Sequence, residues 1–319
     1  MSFKTTWFQG LLIAAAIGVA PLGAGCGNYS NEDLEFMNAL PEKEDLTANV
    51  PARSALALGD AAELYRMTRD VAGVFNGIVD AFLSLIDTIR SYPPTTRHPD
   101  ERIWGPGPAQ TQPGWVVRMV MKRDSIATFS YSVQFRRADF VGDAEAGWIR
   151  DVLAGTFAAA GGVRKGSGML TITTATARAA GLDPNLGFLD SLTALYDTHA
   201  FPITVSLMFK NLDNPLKSTD PTQGTYDYAA QENGQGALMF DWSANSIDGP
   251  LGIDTFEVTS RWLGTGEGRA DLQVISGDGA GLKETQCWDQ RFREVYTDKP
   301  WALVDDIGAP SDCAPIPTL

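Results

Sequence analysis

The side chains with the widest chemical range in this 319-residue sequence are three cysteines, Cys26, Cys287 and Cys313. A thiol can be acylated, can form a disulfide with a second thiol, or can ligate a metal ion. Only two histidines, His98 and His199, are available as further ligands, and they stand far apart without a neighbouring cysteine. This pattern does not fit a zinc or haem site, so we expect no metal and no cofactor.

The first 26 residues have the layout of an export signal. Lys4 precedes an apolar stretch over 11–19, which is too short to span a bilayer, and small residues then lead to Cys26. The segment Leu22-Gly-Ala-Gly-Cys26 resembles the lipobox of bacterial lipoproteins, in which the cysteine becomes the lipidated first residue. The aliphatic residue usual three positions before that cysteine is Gly23 here, and Leu22 lies one position further back. The resemblance implies a signal peptide over 1–25 and a lipid on Cys26.

The residue after the lipidated cysteine guides sorting in such lipoproteins. An Asp there favours the inner membrane, whereas this sequence has Gly27. The resemblance therefore implies a bacterial cell-envelope protein anchored by lipid in the outer membrane. The alternative is an ordinary secretory signal that is cut near the same place.

The other two cysteines, Cys287 and Cys313, form an even pair for an oxidising compartment once Cys26 carries lipid. A disulfide between them would close a loop of about 26 residues and would contribute roughly 3 kcal/mol of stability. It would also attach the proline-rich C-terminal tail to the body. The alternative is two unpaired, buried thiols.

The net charge of −14 comes from 39 acidic and 25 basic residues. So acidic a surface repels phosphate, and it excludes binding to nucleic acid through the phosphate backbone. Direct attraction to anionic lipid headgroups is disfavoured for the same reason. We therefore expect the acyl chains of the lipid anchor to supply the membrane affinity, at about 0.8 kcal/mol per buried methylene, so that the folded part need not touch the membrane.

The mature chain divides by composition and periodicity. Cys26 and the acidic, polar residues up to 59 are interpreted as a tether, with one short helix over 33–40 capped by Ser30. Residues 60–319 are predicted to form a single α+β domain. Its predicted parts are an amphipathic helix over 61–90, a proline-rich loop over 91–114, an antiparallel sheet over 115–296 and a tail rich in Cys and Pro over 297–319.

Alternation of apolar and polar residues predicts the strands, and 125–136 is the clearest case. Three Gly-x-Gly motifs, which begin at Gly166, Gly234 and Gly266, are predicted to be hairpin tips because glycine accepts positive φ. Short helices are predicted over 176–181 and 185–196. The predicted fold is therefore a long, curved, half-barrel-like antiparallel sheet of about 8–10 strands, packed on the long N-terminal helix.

Carboxylates offer the remaining route to catalysis. Asp241 and Glu257 each stand beside aromatic residues on predicted strands, an arrangement that could serve carbohydrate chemistry but is more typical of the outward face of a sheet. Asp183 opens a shortened calcium-like loop, which we interpret as a helix-opening turn. No nucleophile-elbow motif occurs, and both histidines are expected in surface segments or turns. We therefore expect no catalytic site.

These observations leave two functional hypotheses. The first is a lipid-anchored envelope protein of structural or interaction type. The second is a carrier or sensor of a lipid or other apolar ligand held between the helix and the sheet, on the analogy of half-barrel envelope lipoproteins, whose resemblance is architectural only. A large cavity there would favour the carrier, and a filled core would favour the first hypothesis. A carbohydrate-active enzyme is a third, less favoured alternative.

Overall fold

The fold comes from a computed structural model, which describes residues 29–52, 60–109, 112–143, 145–182, 190–214, 217–245, 253–302 and 306–318. The predicted signal peptide, Cys26 and the loop at Asp183 lie outside the described residues. The helices are α1 Asn31–Asn38, α2 Lys43–Leu46, α3 Glu63–Arg90 and α4 Thr174–Ala179, with a 3-10 turn at Pro310–Asp312.

Most of the described secondary structure is β. The strands are β1 Thr96–His98, β2 Glu101–Pro108, β3 Trp115–Arg123, β4 Thr128–Arg137, β5 Ile149–Ala159, β6 Gly166–Thr173, β7 Ser191–Asp197, β8 Ile203–Asn214, β9 Lys217–Ala230, β10 Gly236–Asn245, β11 Ile253–Trp262, β12 Gly268–Ser276, β13 Lys283–Trp288 and β14 Glu294–Asp298.

The strands form a single antiparallel sheet of 14 strands, in which each strand neighbours the next one in the sequence. Helix accounts for only about 18% of the residues that the structure describes. The predicted fold class, an α+β arrangement of 8–10 strands packed on a long N-terminal helix, is therefore wrong. The antiparallel sheet itself is confirmed.

Two of the additional strands lie where a proline-rich loop was predicted over 91–114. Pro106 and Pro108 belong to β2, although proline has no N–H to donate to a neighbouring strand. The pairing of β2 with β3 shifts register between Trp104 and Gly107, so the strand is irregular where the prolines occur. The loop prediction, which rested on the number of prolines, is therefore wrong for the residues of β1 and β2.

The third additional strand, β7, replaces the helix predicted over 185–196. Its buried side chains are Leu192, Ala194 and Tyr196, which alternate with more exposed residues and so follow the period of a strand. The short helix predicted over 176–181 is confirmed as a helix by α4, which begins and ends two residues earlier. The Gly-x-Gly hairpin tips are also confirmed, since each motif enters a strand from the turn before it, and Gly234 and Gly266 have positive φ.

The chain forms two compact units. Unit 1 comprises Met1–Leu46, Gly77–Ala200 and Phe209–Asn211, and its described core includes Phe36, Met121 and Val133. Residues 31–46 are part of this unit rather than a free tether, because Asp33, Phe36 and Leu40 are fully buried. The prediction of a single domain over 60–319 stays a prediction.

Unit 2 comprises Thr47–Asn76, Phe201–Met208 and Leu212–Leu319. The first half of α3 packs here against the sheet, where the Leu64 N–H donates to the Gln286 side chain over 2.7 Å. The hydroxyls of Thr68 and Ser260 lie 2.5 Å apart. Leu64, Phe75, Leu238, Phe240 and Val258 are almost completely buried, so this face of the sheet is filled by the protein's own side chains.

Candidate functional site

Polar and charged side chains of unit 1 gather on the face of β3 and β4 that lies opposite the core. Residues 117, 119 and 121 of β3 point to the core, and Arg118 therefore points to the other face. We use the name arginine–tryptophan cluster for Arg118, Arg136, Glu145, Trp148 and Arg150. Arg118 lies in β3, Arg136 in β4 and Arg150 in β5, while Glu145 and Trp148 belong to the connection that precedes β5.

Arg118 is the centre of the arginine–tryptophan cluster. Its two terminal nitrogens donate to the two carboxylate oxygens of Glu145 over 2.8 and 2.7 Å, the paired geometry in which guanidinium recognises carboxylate. Its Nε donates to the Gln134 side chain over 2.9 Å, and Gln134 in turn donates to Ser132. The Arg118 side chain is only 10% exposed, whereas Glu145 is 60% exposed. The guanidinium is thus fixed by the sheet and its carboxylate partner faces solvent.

Trp148 lies between two cations. The guanidinium carbon of Arg118 is 4.2 Å from the ring centroid and that of Arg136 is 4.6 Å away, both within the range of a cation–π contact. The indole is buried, so both guanidinium groups are held against a rigid surface. This rigidity reduces the entropy that the two arginines would lose on binding a ligand.

The charge of the arginine–tryptophan cluster is positive. The cluster, as defined, contains three arginines and the carboxylate of Glu145, in a chain whose net charge is −14. The hydrogen bond from Arg118, together with the positive charges of Arg118, Arg150 and Arg136, holds the pKa of Glu145 below its ordinary value. The arrangement holds a carboxylate between guanidinium groups, which is a binding geometry for an anion.

Sequence reasoning missed the arginine–tryptophan cluster. The available signal was the alternation of side chains in the two neighbouring strands, which places Arg118 and Arg136 on the outward face. Their convergence depends on the register that places Arg118 opposite Gln134 and on the turn that returns Trp148 to the same face. That register is a tertiary property, and composition does not supply it.

The predicted disulfide between Cys287 and Cys313 is confirmed, with a Cα–Cα distance of 5.4 Å. It joins the C-terminal tail to β13 in unit 2. The backbone of Ile307 pairs with Thr297 of β14, and the Gln235 side chain donates to the carbonyl of Pro317 over 3.3 Å. The tail is therefore held at three separate points.

The two carboxylates considered for carbohydrate chemistry are brought together. Asp241 of β10 is the direct partner of Glu257 in β11, on the half-exposed face of unit 2. Partial burial, with the negative charges of Glu257 and Asp227, raises the pKa of Asp241. Like charges directly opposite each other destabilise a sheet. Carbohydrate chemistry at this pair stays the less favoured alternative.

The histidines lie apart from both groups. His98 and His199 are exposed. The backbone carbonyl of His98 accepts a hydrogen bond from Arg102, and the backbone N–H of His199 donates to Asp197. Among the described residues, no group of three His, Cys, Asp or Glu side chains is placed to hold a metal ion. None of the described helices is both long and apolar enough to cross a bilayer.

Comparisons with known proteins find no matching family model, no similar curated protein and no similar solved structure.

Proposed function

We propose that this protein is an exported, lipid-anchored component of the bacterial cell envelope that works by binding a partner rather than by catalysis. The lipid on Cys26 holds it in the outer membrane, the choice that Gly27 favours. The observation that carries the proposal is the Cys287–Cys313 disulfide. Such a bond is typical of an oxidising compartment, and it leaves Cys26 as the one thiol available for acylation in the lipobox-like segment.

The arginine–tryptophan cluster supports a binding role. Its guanidinium groups are preorganised by Trp148 and Gln134, and Glu145 occupies the position that an incoming carboxylate would take. The proposed partner is therefore a carboxylate-bearing molecule. A positive site on an acidic protein concentrates such a partner locally, while the rest of the surface repels anions.

The test of the anchor is the substitution Cys26→Ser in the full-length chain, expressed in a Gram-negative host. The variant should move from the membrane fraction to the soluble exported fraction and lose the mass of the N-terminal acyl groups. Cys313→Ser is the matched control, since it removes a different thiol and should leave membrane partition unchanged. Retention of Cys26→Ser in the membrane would refute the anchor.

The carrier hypothesis remains a second proposal, but no described contact favours it. It requires space between α3 and the sheet, and in unit 2 the first half of α3 meets a filled face. Tyr65 stacks on Phe292 with 4.5 Å between ring centroids, and Phe75 lies 6.1 Å from Tyr228. This packing supports the interaction role.

A further inference from the structure

The segment between the proposed lipid and the folded body is very short. Only Gly27 and Asn28 separate Cys26 from Tyr29, where the described structure begins. Three residue steps span at most about 11 Å even when fully extended. If Cys26 is held at a membrane surface, the start of α1 must therefore lie close to that surface.

The N-terminal helix α1 is fixed firmly in unit 1. Asp33 is fully buried and accepts hydrogen bonds from Arg102 over 2.7 Å and from Arg97 over 3.0 Å. Ser30 and Asp33 also form a capping box at the start of the helix. Phe36, three residues further on, is fully buried and lies 5.4 Å from the ring of Phe129. A helix held by a buried ion pair and a buried ring cannot serve as a spacer.

α1 is bonded to one particular edge of unit 1. Glu35 pairs with Arg123 at the end of β3, and the carbonyl of Asn38 accepts from the backbone of Arg164 in the β5–β6 turn. The turns 99–100, 124–127 and 160–165 lie side by side there. The backbone of residue 123 bonds to that of residue 100, and the backbone of residue 159 bonds to that of residue 127. We call these three turns the tip edge.

The tip edge carries exposed apolar side chains. Ile126 is 97% exposed and Val163 is 60% exposed, each at the tip of its own hairpin. A β-branched residue at an exposed turn contributes nothing to the core, and exposing its apolar side chain to water costs free energy. Two such residues on the edge nearest to the anchor are suited to contact with the apolar boundary of a lipid headgroup layer.

We propose that the tip edge faces the membrane and that Ile126 and Val163 enter its headgroup region. This inference rests on the lipidation of Cys26 proposed above. The occupant of the surface is the lipid bilayer itself, because the length of chain between Cys26 and α1 leaves no room for a protein layer. Two cations at the tip edge, Arg123 and Arg164, are paired with carboxylates, and Lys165 is the third cation there. The chain is acidic overall, so we expect apolar contact rather than charge to drive the approach.

The orientation has a consequence for the arginine–tryptophan cluster. Arg118 lies five residues from Arg123 along β3, which corresponds to about 16 Å in a strand. The connection from β4 to β5, which contains Glu145 and Trp148, leaves the opposite end of the strands from the tip edge. The cluster is therefore directed away from the membrane, where a partner can reach it.

Hydrogen exchange monitored by mass spectrometry tests the orientation. The full-length lipidated protein is reconstituted in vesicles of phosphatidylethanolamine and phosphatidylglycerol and compared with soluble Cys26→Ser, after intact mass has established the lipid. Peptides covering 124–127 and 160–165 should take up severalfold less deuterium in vesicles. The segment around Val141 is the internal control, since Val141 is 94% exposed at the far end of β4 and should be unchanged.

Tryptophan substitution gives a second, independent readout. Ile126→Trp in vesicles containing brominated phosphatidylcholine should show quenching beyond that of the parent protein, whereas Val141→Trp should not. Equal exchange at the tips in protein that carries its lipid, or quenching at Val141→Trp instead, would overturn the orientation and leave the anchor intact. Absence of the lipid mass would overturn the anchor and this inference together.

Discussion

The indole of Trp288 lies across Gly268, its direct partner on the neighbouring strand. A Cβ built on residue 268 would lie 2.1 Å from Cζ2 of that ring. The same arrangement recurs three times, each time between a glycine and the ring directly opposite: Trp262 over Gly236, Tyr131 over Gly155 and Tyr196 over Gly168. An aromatic ring placed over a cross-strand glycine buries its face against the bare backbone, and this pairing helps to fix strand register.

The first prediction concerns this pairing. Gly268→Ala should lower the free energy of unfolding by about 1–3 kcal/mol, because the buried Trp288 ring must move out of its position. Urea unfolding measures the change. Gly73→Ala in α3 is the matched control: a Cβ there meets nothing within 4 Å, and the substitution should stabilise by up to about 1 kcal/mol. An unchanged unfolding midpoint for Gly268→Ala would contradict the packing argument.

The glycines show which parts of the fold could be predicted from the sequence and which could not. The sequence predicts that each Gly-x-Gly motif is a hairpin tip, and the hairpins are confirmed. The second glycine, at 168, 236 or 268, has a different role that local rules do not supply, because it is set by an aromatic residue on another strand. For the same reason, local rules did not predict β7 or the arginine–tryptophan cluster. Local alternation identified most strands, whereas register and strand partners are determined by long-range packing.

The second prediction concerns the C-terminal tail. Cys313→Ser should lower the free energy of unfolding by roughly 3 kcal/mol, because the disulfide closes a loop between residues 26 positions apart. Thermal unfolding with and without reductant measures the effect, and reductant should destabilise only the parent protein. The Cys287→Ser variant should have no higher free energy of unfolding than Cys313→Ser, since either change breaks the same bond. Equal sensitivity of parent and variant to reductant would contradict the prediction.

The third prediction concerns recognition by the arginine–tryptophan cluster. Soluble Cys26→Ser protein should bind poly-L-glutamate, and Arg118→Ala should abolish that binding because it removes the paired donors. Glu145→Gln should tighten binding severalfold, since the internal carboxylate no longer competes; an exposed ion pair of this kind contributes on the order of 1 kcal/mol. Isothermal titration calorimetry at two salt concentrations measures both effects.

The control for the third prediction is Asp139→Asn. This exposed carboxylate pairs with Arg137, outside the arginine–tryptophan cluster, and its loss changes the net charge by the same amount as Glu145→Gln. If both neutral variants tighten binding equally, the gain comes from net charge alone. A local effect requires that only Glu145→Gln does so.

The fourth prediction concerns the ion pair that holds α1. Burial alone would raise the pKa of Asp33, but hydrogen bonds from Ser30, Arg102 and Arg97 outweigh it and leave that pKa below its ordinary value. The stabilising contribution is therefore present above the ordinary pKa near 3.8 and is lost as the pH falls through the lower native value. Asp33→Asn should cost about 3 kcal/mol at neutral pH, because Arg102 loses its buried carboxylate partner and keeps only the exposed Glu32.

Urea unfolding at pH 7 and pH 3 measures this contribution, and the difference between parent and Asp33→Asn should shrink at the lower pH. The exposed pair between Arg137 and Asp139 provides a control, since Asp139→Asn should change stability by no more than about 1 kcal/mol. A cost for Asp33→Asn no greater than that of the control would show that α1 is not held by the buried pair, and would also weaken the orientation proposed for the tip edge.

The fifth prediction has the opposite sign and concerns Asp241. Because partial burial and the charges of Glu257 and Asp227 raise its pKa, the native state binds this proton more tightly than the unfolded chain does. The protonated form is therefore the stable one: stability is greatest below the ordinary Asp value and declines as the pH rises through the raised native pKa. Asp241→Asn should be nearly neutral at pH 3 and stabilising at pH 7. Unfolding midpoints of parent and variant across this interval measure the difference, which should grow with pH.

The control for the fifth prediction is Glu257→Gln, which removes the nearest like charge. In this background the stability difference made by Asp241→Asn should increase less with pH, and an unaltered pH dependence would exclude the cross-strand carboxylate as its cause.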